Sequence, residues 1–337
     1  MKRKIKIIIL AVALVLLIYF ISWQLDFSQG KEPSWGATFS QYYAQELLKL
    51  DWQKTYESIL NDFNFKKLRL VAYWQYLEPK NNRFNFSDLD WQINEAEKTN
   101  KEVILVIGYR VPRWPECHAP EWSRGLSKEE WQKEFLSYLQ NIVEHYKTFE
   151  GVKAWQVENE PLLSVFGNCP PTDIEFLKKE IAFVKSLDPS RPIIITDSGE
   201  MSFWFRTAPL GDILGTTLYR VVWNKFTGPW KHFYPPAAYT LREYIAKKLF
   251  KTKDVIISEL QAEPWASGGG NIAEVTFEKQ TQSFDLKQLE NNLEFAKQTG
   301  IREIYLWGVE WWYWRKANGD ESWIETGKKT LNFIEQP

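Results

Sequence analysis

From Pro33 onward, short apolar runs alternate with longer stretches in which apolar residues recur at helical spacing, a pattern that predicts repeated strand–helix units around a parallel sheet. Eight runs read as strands: WGATFS (35–40), KLRLVAYW (67–74), EVILVIGY (102–109), VKAWQVEN (152–159), PIIITD (192–197), DILGTTLY (212–219), DVIISE (254–259) and EIYLWGV (303–309). Most are nearly uninterrupted hydrophobic runs, as expected of strands covered on both faces. Ser127 with Glu130, and Thr172 with Glu175, have capping-box spacing, and Gly300 is placed to stop the helix ending in NNLEFAKQT. After the fifth strand, SGEMSFWFRTAPLG leaves room for only a short helical turn. Eight such units over roughly 300 residues fit one α/β domain, a (β/α)8 TIM barrel, whose usual size is about 250 residues plus insertions. The alternative is an open doubly wound sheet, but no G-x-G-x-x-G or P-loop follows any strand.

A different pattern precedes these units. Lys2, Arg3, Lys4 and Lys6 lead into an uninterrupted apolar run from Ile7 to Ile21, flanked by the interfacial aromatics Tyr19 and Trp23. No A-x-A-like cleavage site follows. The expected organisation is a short basic cytoplasmic end (1–6), a transmembrane signal anchor (7–25), a stalk (26–33) and a barrel domain (34–337), the last held outside the cytoplasm on the cytoplasmic membrane. A cleaved signal peptide, leaving the barrel secreted, is the alternative.

Composition narrows the partners. With 42 basic and 43 acidic residues the formal net charge is -1, which provides no electrostatic footprint for nucleic acid. Three His without ligand spacing predict no catalytic metal, and no cofactor is expected. Aromatic residues make up 16% of the chain, with 18 Trp, more than core packing demands; flat apolar faces suit stacking on sugar rings. Cys117 and Cys169 lie in loops after neighbouring strands, and outside the cytoplasm a disulfide between them is expected, two free thiols being the alternative.

In such a barrel the C-terminal ends of the strands carry the active site. Strand four ends in Asn159 and Glu160, strand seven in Glu259 and strand six in Tyr219; strand two offers Arg69 and strand eight Trp307. Cleavage of a glycosidic bond needs two carboxyl groups in different protonation states, about 5–5.5 Å apart for double displacement and about 6.5–9.5 Å apart when a water is activated. Glu160 and Glu259 supply that pair. Arg69 and the Tyr219 hydroxyl would keep Glu259 ionised, and Glu160, repelled by it and partly desolvated, would keep its proton. Glu158 and Glu263 are the competing carboxylates nearby. Trp114 and Trp307 are the expected cleft aromatics, and His118 a candidate contact for sugar hydroxyls. Ser198 lacks the G-x-S-x-G elbow of an esterase.

The order of LRLVAYWQYLEP, NRFNFSDLDWQI, WQVENEP and ISELQAEPW resembles glycoside hydrolase clan A, the retaining (β/α)8 glycosidases, over nearly the whole chain after Pro33. Within the clan, LEPKNNRFNFSDLDWQINEA and SELQAEPW are similar to family 42 β-galactosidases, and NEP to family 5 cellulases and mannanases. The resemblance implies Glu160 as acid/base, Glu259 as nucleophile, Asn159 as partner of the sugar 2-hydroxyl, Arg69 and Tyr219 as supports of Glu259, and Trp307 as the platform beneath the sugar. The expected function is retaining hydrolysis of an extracytoplasmic oligo- or polysaccharide. Transglycosylation on the same site and an inactive, membrane-tethered carbohydrate-binding protein are the alternatives.

Overall fold

Ten strands form in the order β1 (Ser34–Phe39), β2 (Lys67–Val71), β3 (Glu102–Ile107), β4 (Val152–Val157), β5 (Ile193–Asp197), β6 (Ile213–Leu218), β7 (Val221–Asn224), β8 (Gly228–Lys231), β9 (Asp254–Gln261) and β10 (Glu303–Trp307). Eight of them close into a parallel barrel, β1 to β6 followed by β9 and β10, with β10 returning to β1. The remaining two, β7 and β8, make an antiparallel hairpin inserted after β6, where the sequence predicted only the end of a strand. The computed structural model describes residues 2–224, 226, 228–266 and 270–331; residue 1 and residues 332–337, the outer limits of the first and last expected segments, lie outside them.

The helices are α1 (Lys2–Ser22), α2 (Trp52–Asp62), α3 (Trp74–Leu77), α4 (Ser87–Lys98), α5 (Lys128–Tyr146), α6 (Ile174–Leu187), α7 (Pro236–Leu249), α8 (Phe277–Ser283), α9 (Leu286–Gln298), α10 (Val309–Ala317) and α11 (Ser322–Leu331). Strand residues such as Leu70, Leu105, Trp155 and Ile257 pack outward with helical residues in the main core. Inside the barrel, Ile104, Ala154, Ile194, Ile256 and Tyr305 form an apolar plug. The buried polar residues Thr38, Arg69, Gln156 and Thr196 are tied to one another by hydrogen bonds and form the floor of the site. A (β/α)8 barrel packs its interior in such layers and keeps its chemistry at the C-terminal ends of the strands.

Ser127 and Glu130 form the expected capping box on α5. On α6 the cap is Asp173, not Thr172: its carboxylate accepts from the backbone of Glu175 and Phe176, while the Thr172 hydroxyl donates to Pro161 O. A carboxylate also complements the positive end of the helix dipole, which a hydroxyl does not. After β5 only a 3-10 turn, Ala208–Leu210, forms.

The expected stalk is laid against the barrel. Phe27 N donates to Gln298 O (3.0 Å), Glu32 pairs with Lys297 (3.0 Å) and Pro33 is buried. Gly300, at φ 77° just past α9, permits this approach, since a Cβ there would lie 2.6 Å from Phe27 O. In α1 the stretch Lys4–Ser22 is long and apolar enough to cross a membrane, and none of it is buried against the barrel.

Candidate active site

The turn after β4 explains the grouping in WQVENEP. Glu158 and Glu160 have φ of 60° and 42°, left-handed values that cost a residue with a side chain about 1–3 kcal/mol each. Hydrogen bonds hold them there. Both Glu158 oxygens accept backbone N–H groups, from Tyr109 and Arg110, each at 2.7 Å. Asn159 N donates to Arg110 O (2.6 Å), and Glu160 N to Thr196 Oγ1 (2.8 Å). Burial pushes the Glu158 carboxyl up to about 7 against these hydrogen bonds. Glu158 therefore staples the loops after β3 and β4 together, and its neighbour Glu160 is the one that borders the cleft. The same two loops are joined by the Cys117–Cys169 disulfide and by Arg110, which donates to Leu163 O (2.6 Å), Phe166 O (2.8 Å) and Glu116 (2.7 Å).

Glu259 comes from β9, which carries one extra residue relative to β6: Thr216 pairs with Ile257 but Thr217 with Glu259. A bulge of this kind re-aims the side chain beside it. Glu259 Oε1 accepts from Arg69 Nη1 (3.1 Å), and Oε2 from the Tyr219 hydroxyl (2.9 Å). Arg69 is fully buried and also donates to Gln156 Oε1 (2.7 Å), Asn159 Oδ1 (2.7 Å) and Thr38 Oγ1 (3.3 Å). Burial, and then the charges of Glu259 and Glu160, raise the Tyr219 phenol well above its ordinary value, so it remains a donor.

Glu160 contrasts with Glu259. It is buried, and among the described residues its Oε1 has no hydrogen-bond partner. Burial first, then the negative charge of Glu259, Glu116, Glu200 and Asp197, drives its carboxyl well above the carboxylate range. One carboxyl is thus biased to hold a proton, and the other accepts hydrogen bonds on both oxygens.

The two border a cleft of about 550 Å³, together with Tyr219, Trp114 and Trp307. Trp223, Trp230 and Trp265 line it as well, unanticipated from the sequence, whereas Trp311 and Trp312 are buried in the core. The Arg113 guanidinium lies 4.0 Å from the Trp307 ring centroid and 3.6 Å from that of Tyr43. It pairs with Glu263, which also accepts from the Tyr43 hydroxyl (2.7 Å), and with Glu310 (3.3 Å). Glu263 therefore borders the cleft as the partner of a stacked cation. Arg113 itself had no distinguishing signal beyond its place in the loop after β3.

His118 does not reach the cleft. The loop folds back so that His118 N donates to Tyr109 O, and the ring is buried edge-on against Tyr42 and Tyr73 with Nε2 3.0 Å from Arg113 O. Burial lowers its pKa to about 4, so it is a neutral packing group rather than a sugar contact. Among the described residues, no group of three or more His, Cys, Asp or Glu side chains could hold a metal ion.

Residues 39–167, from β1 to the loop bearing Glu160, match the sequence model of Glycosyl hydrolase family 10. A probable mannan endo-1,4-beta-mannosidase F of Aspergillus flavus is 28% identical over 118 residues, 33% of this chain and 25% of that protein. Endo-1,4-beta-xylanase B of Thermotoga neapolitana is 27% identical over 163 residues, 44% of this chain and 42% of that protein. The chain thus spans 25% to 42% of the length of these curated relatives. The solved structure of xylanase 10B from Thermotoga maritima superimposes with a TM-score of 0.55 at 16% identity, over 82% of this chain and 83% of the other. That of a GH5_18 enzyme from Streptomyces cattleya in complex with GlcNAc gives 0.56 at 11% identity, over 82% and 70%. At such identities the likeness is one of fold. The sequence resemblance pointed to families 42 and 5 within clan A; the matching model is that of family 10, with enzymes of families 10 and 5 among the structural neighbours.

Proposed function

We propose that this chain is a retaining glycoside hydrolase of clan A that cleaves a β-linked glycan by double displacement. The observation that carries this reading is the asymmetry of the two carboxyls. Glu259 is held on both oxygens, by a buried guanidinium and a phenol, whereas Glu160 is buried, unpartnered at Oε1 and biased toward its protonated form. In the first step Glu259 attacks the anomeric carbon while the bond to the leaving oxygen breaks and Glu160 gives that oxygen its proton. In the second, Glu160 takes a proton from a water that attacks the same carbon and releases Glu259. Arg69 occupies Asn159 Oδ1, which leaves the amide N–H₂ free to donate to the sugar 2-hydroxyl. Trp307 and Trp114, with Trp265, offer faces for sugar rings.

The names of the relatives, mannan endo-1,4-beta-mannosidase and endo-1,4-beta-xylanase, support a β-1,4-linked backbone as the substrate class. In this reading α1 spans the cytoplasmic membrane and the barrel lies outside it, which suits a disulfide between Cys117 and Cys169. Proton NMR of early hydrolysis of xylan- and mannan-type oligosaccharides tests the mechanism. The first product should carry the anomeric configuration of the substrate, and inversion would overturn the reading.

A further inference from the structure

Large apolar side chains are exposed on one sector of the barrel. The loop after β5 carries Met201, Phe203 and Phe205, and the hairpin with the turn after it carries Phe226, Trp230 and Phe233. Next to them, Leu241 and Tyr244 are exposed on α7, and Phe205 packs on Phe250 at its far end (5.9 Å between centroids). Among the described residues, α2, α4, α5, α6, α9, α10 and α11 expose no large hydrophobic side chain in this way. A concentrated apolar surface of this size is unusual for a face bathed in water. Arg206 and Lys231, in the same two segments, are exposed as well.

The course of α1 identifies what covers this surface. Phe27 lies beside Gln298 at the end of α9, Trp23 packs edge-on against Phe295 (6.1 Å between centroids), and the Tyr19 hydroxyl donates to Phe233 O (2.8 Å). Phe233 belongs to the connection between the hairpin and the start of α7, at the end of the barrel that holds Glu160 and Glu259. The unburied apolar span therefore leaves the barrel through the exposed aromatic surface. Met201 and Trp230 belong to this surface and also border the cleft.

We propose that this loop face rests in the interfacial layer of the bilayer that α1 crosses, so that the cleft opens at the membrane surface. The proposal depends on α1 being a retained anchor. Trp, Tyr and Phe side chains partition into that layer, and the exposed Arg206 and Lys231 complement anionic headgroups.

The test uses the full chain in vesicles of phosphatidylcholine and phosphatidylglycerol. A polarity-sensitive fluorophore is placed on a single introduced thiol at Phe203→Cys, at Phe233→Cys or, as a control on the opposite side, at exposed Gln140→Cys of α5. Cys117 and Cys169 are bonded to each other, so the introduced thiol alone reacts. With quencher-bearing lipids, the probes at 203 and 233 should lose their emission and the probe at 140 should keep it. Quenching at 203 and 233 no greater than at 140, in protein that still floats with the vesicles after an alkaline wash, overturns the docking and leaves the anchor standing. Loss of flotation overturns the anchor and the docking with it. Probes shielded without lipid quenching, in a concentration-dependent manner, would put a second copy of the chain on this face and also overturn the proposal.

Discussion

Arg69 donates to Glu259 Oε1 at 3.1 Å while its other terminal nitrogen holds Asn159 Oδ1 at 2.7 Å, so one fully buried cation positions both the proposed nucleophile and the amide next to Glu160, the proposed acid. A planar guanidinium reaches four partners at once, which an ammonium cannot. Arg69→Lys is therefore expected to lower kcat by about 100-fold or more in a folded protein, in line with loss of a positioned charge donor. Tyr219→Phe removes only one donor to a charged group, about 1.5–3 kcal/mol, and should cost roughly 10- to 100-fold with KM little changed. Steady-state kinetics alongside thermal melts separate the two; a Lys variant with full activity would contradict the role given to Arg69.

Glu160 is expected to set the alkaline limb of activity. Burial and the neighbouring negative charges raise its pKa, which extends toward higher pH the range in which the carboxyl keeps its proton; the proton is lost as pH rises through the raised value. Glu160→Gln should all but abolish cleavage of natural linkages, yet spare the first step for aryl glycosides whose leaving group needs no proton, and on these the alkaline limb should vanish. Rates against pH for both substrate types check it.

Three further carboxyls, Glu116, Glu158 and Glu310, are pushed up to about 7 by burial, from an ordinary value of 4.5. Between those limits the folded chain binds more protons than the unfolded one, so stability falls as pH rises from about 4.5 to 7. Asp212 acts in the opposite sense: against the cost of burial, hydrogen bonds from Lys253, Ile193 N and Lys185 hold it at about 2, and that stability is lost as pH falls from about 4 toward 2. Melting temperature should therefore peak between about pH 4 and 5.5 and decline toward 7.5. A curve rising through pH 5 to 7.5 would contradict the burial of the three groups.

The Cys117–Cys169 disulfide closes a chain segment with a sequence separation of 52, for which loop entropy gives about 4 kcal/mol. It joins the loop carrying Trp114 and Glu116 to the one following Glu160. Replacing both cysteines by Ser should lower the melting temperature and also kcat; calorimetry and kinetics on the same preparation measure both.

The barrel was legible because its strands are covered on both faces and so appear as runs such as EVILVIGY and DVIISE. The placement of Glu160 and Glu259 followed from where those runs stop. What was not legible depended on conformation or distance. Glu158 and Glu160 look alike in the letters, and only the left-handed turn sends one to backbone amides and the other to the cleft. Arg113 acquires its place from Tyr43, Glu263 and Trp307, which come together from the segment after β1, the segment after β9 and the end of β10. Thr172 and Asp173 are adjacent residues that can both cap a helix, and spacing alone chose the wrong one. The β7–β8 hairpin is two four-residue strands in an aromatic loop, too short for a periodic signal.

The central claim, that Glu259 forms a covalent bond to the sugar, is tested most directly by trapping. A 2-deoxy-2-fluoro glycoside with a good leaving group, of xylan or mannan type, slows release of the glycosyl enzyme more than its formation. Mass spectrometry of the treated protein should show one sugar per chain, mapped by peptide analysis to Glu259 and absent from Glu259→Gln. A label on Glu263 or Glu160, or turnover without any covalent species and with inversion at the anomeric carbon, would contradict the account.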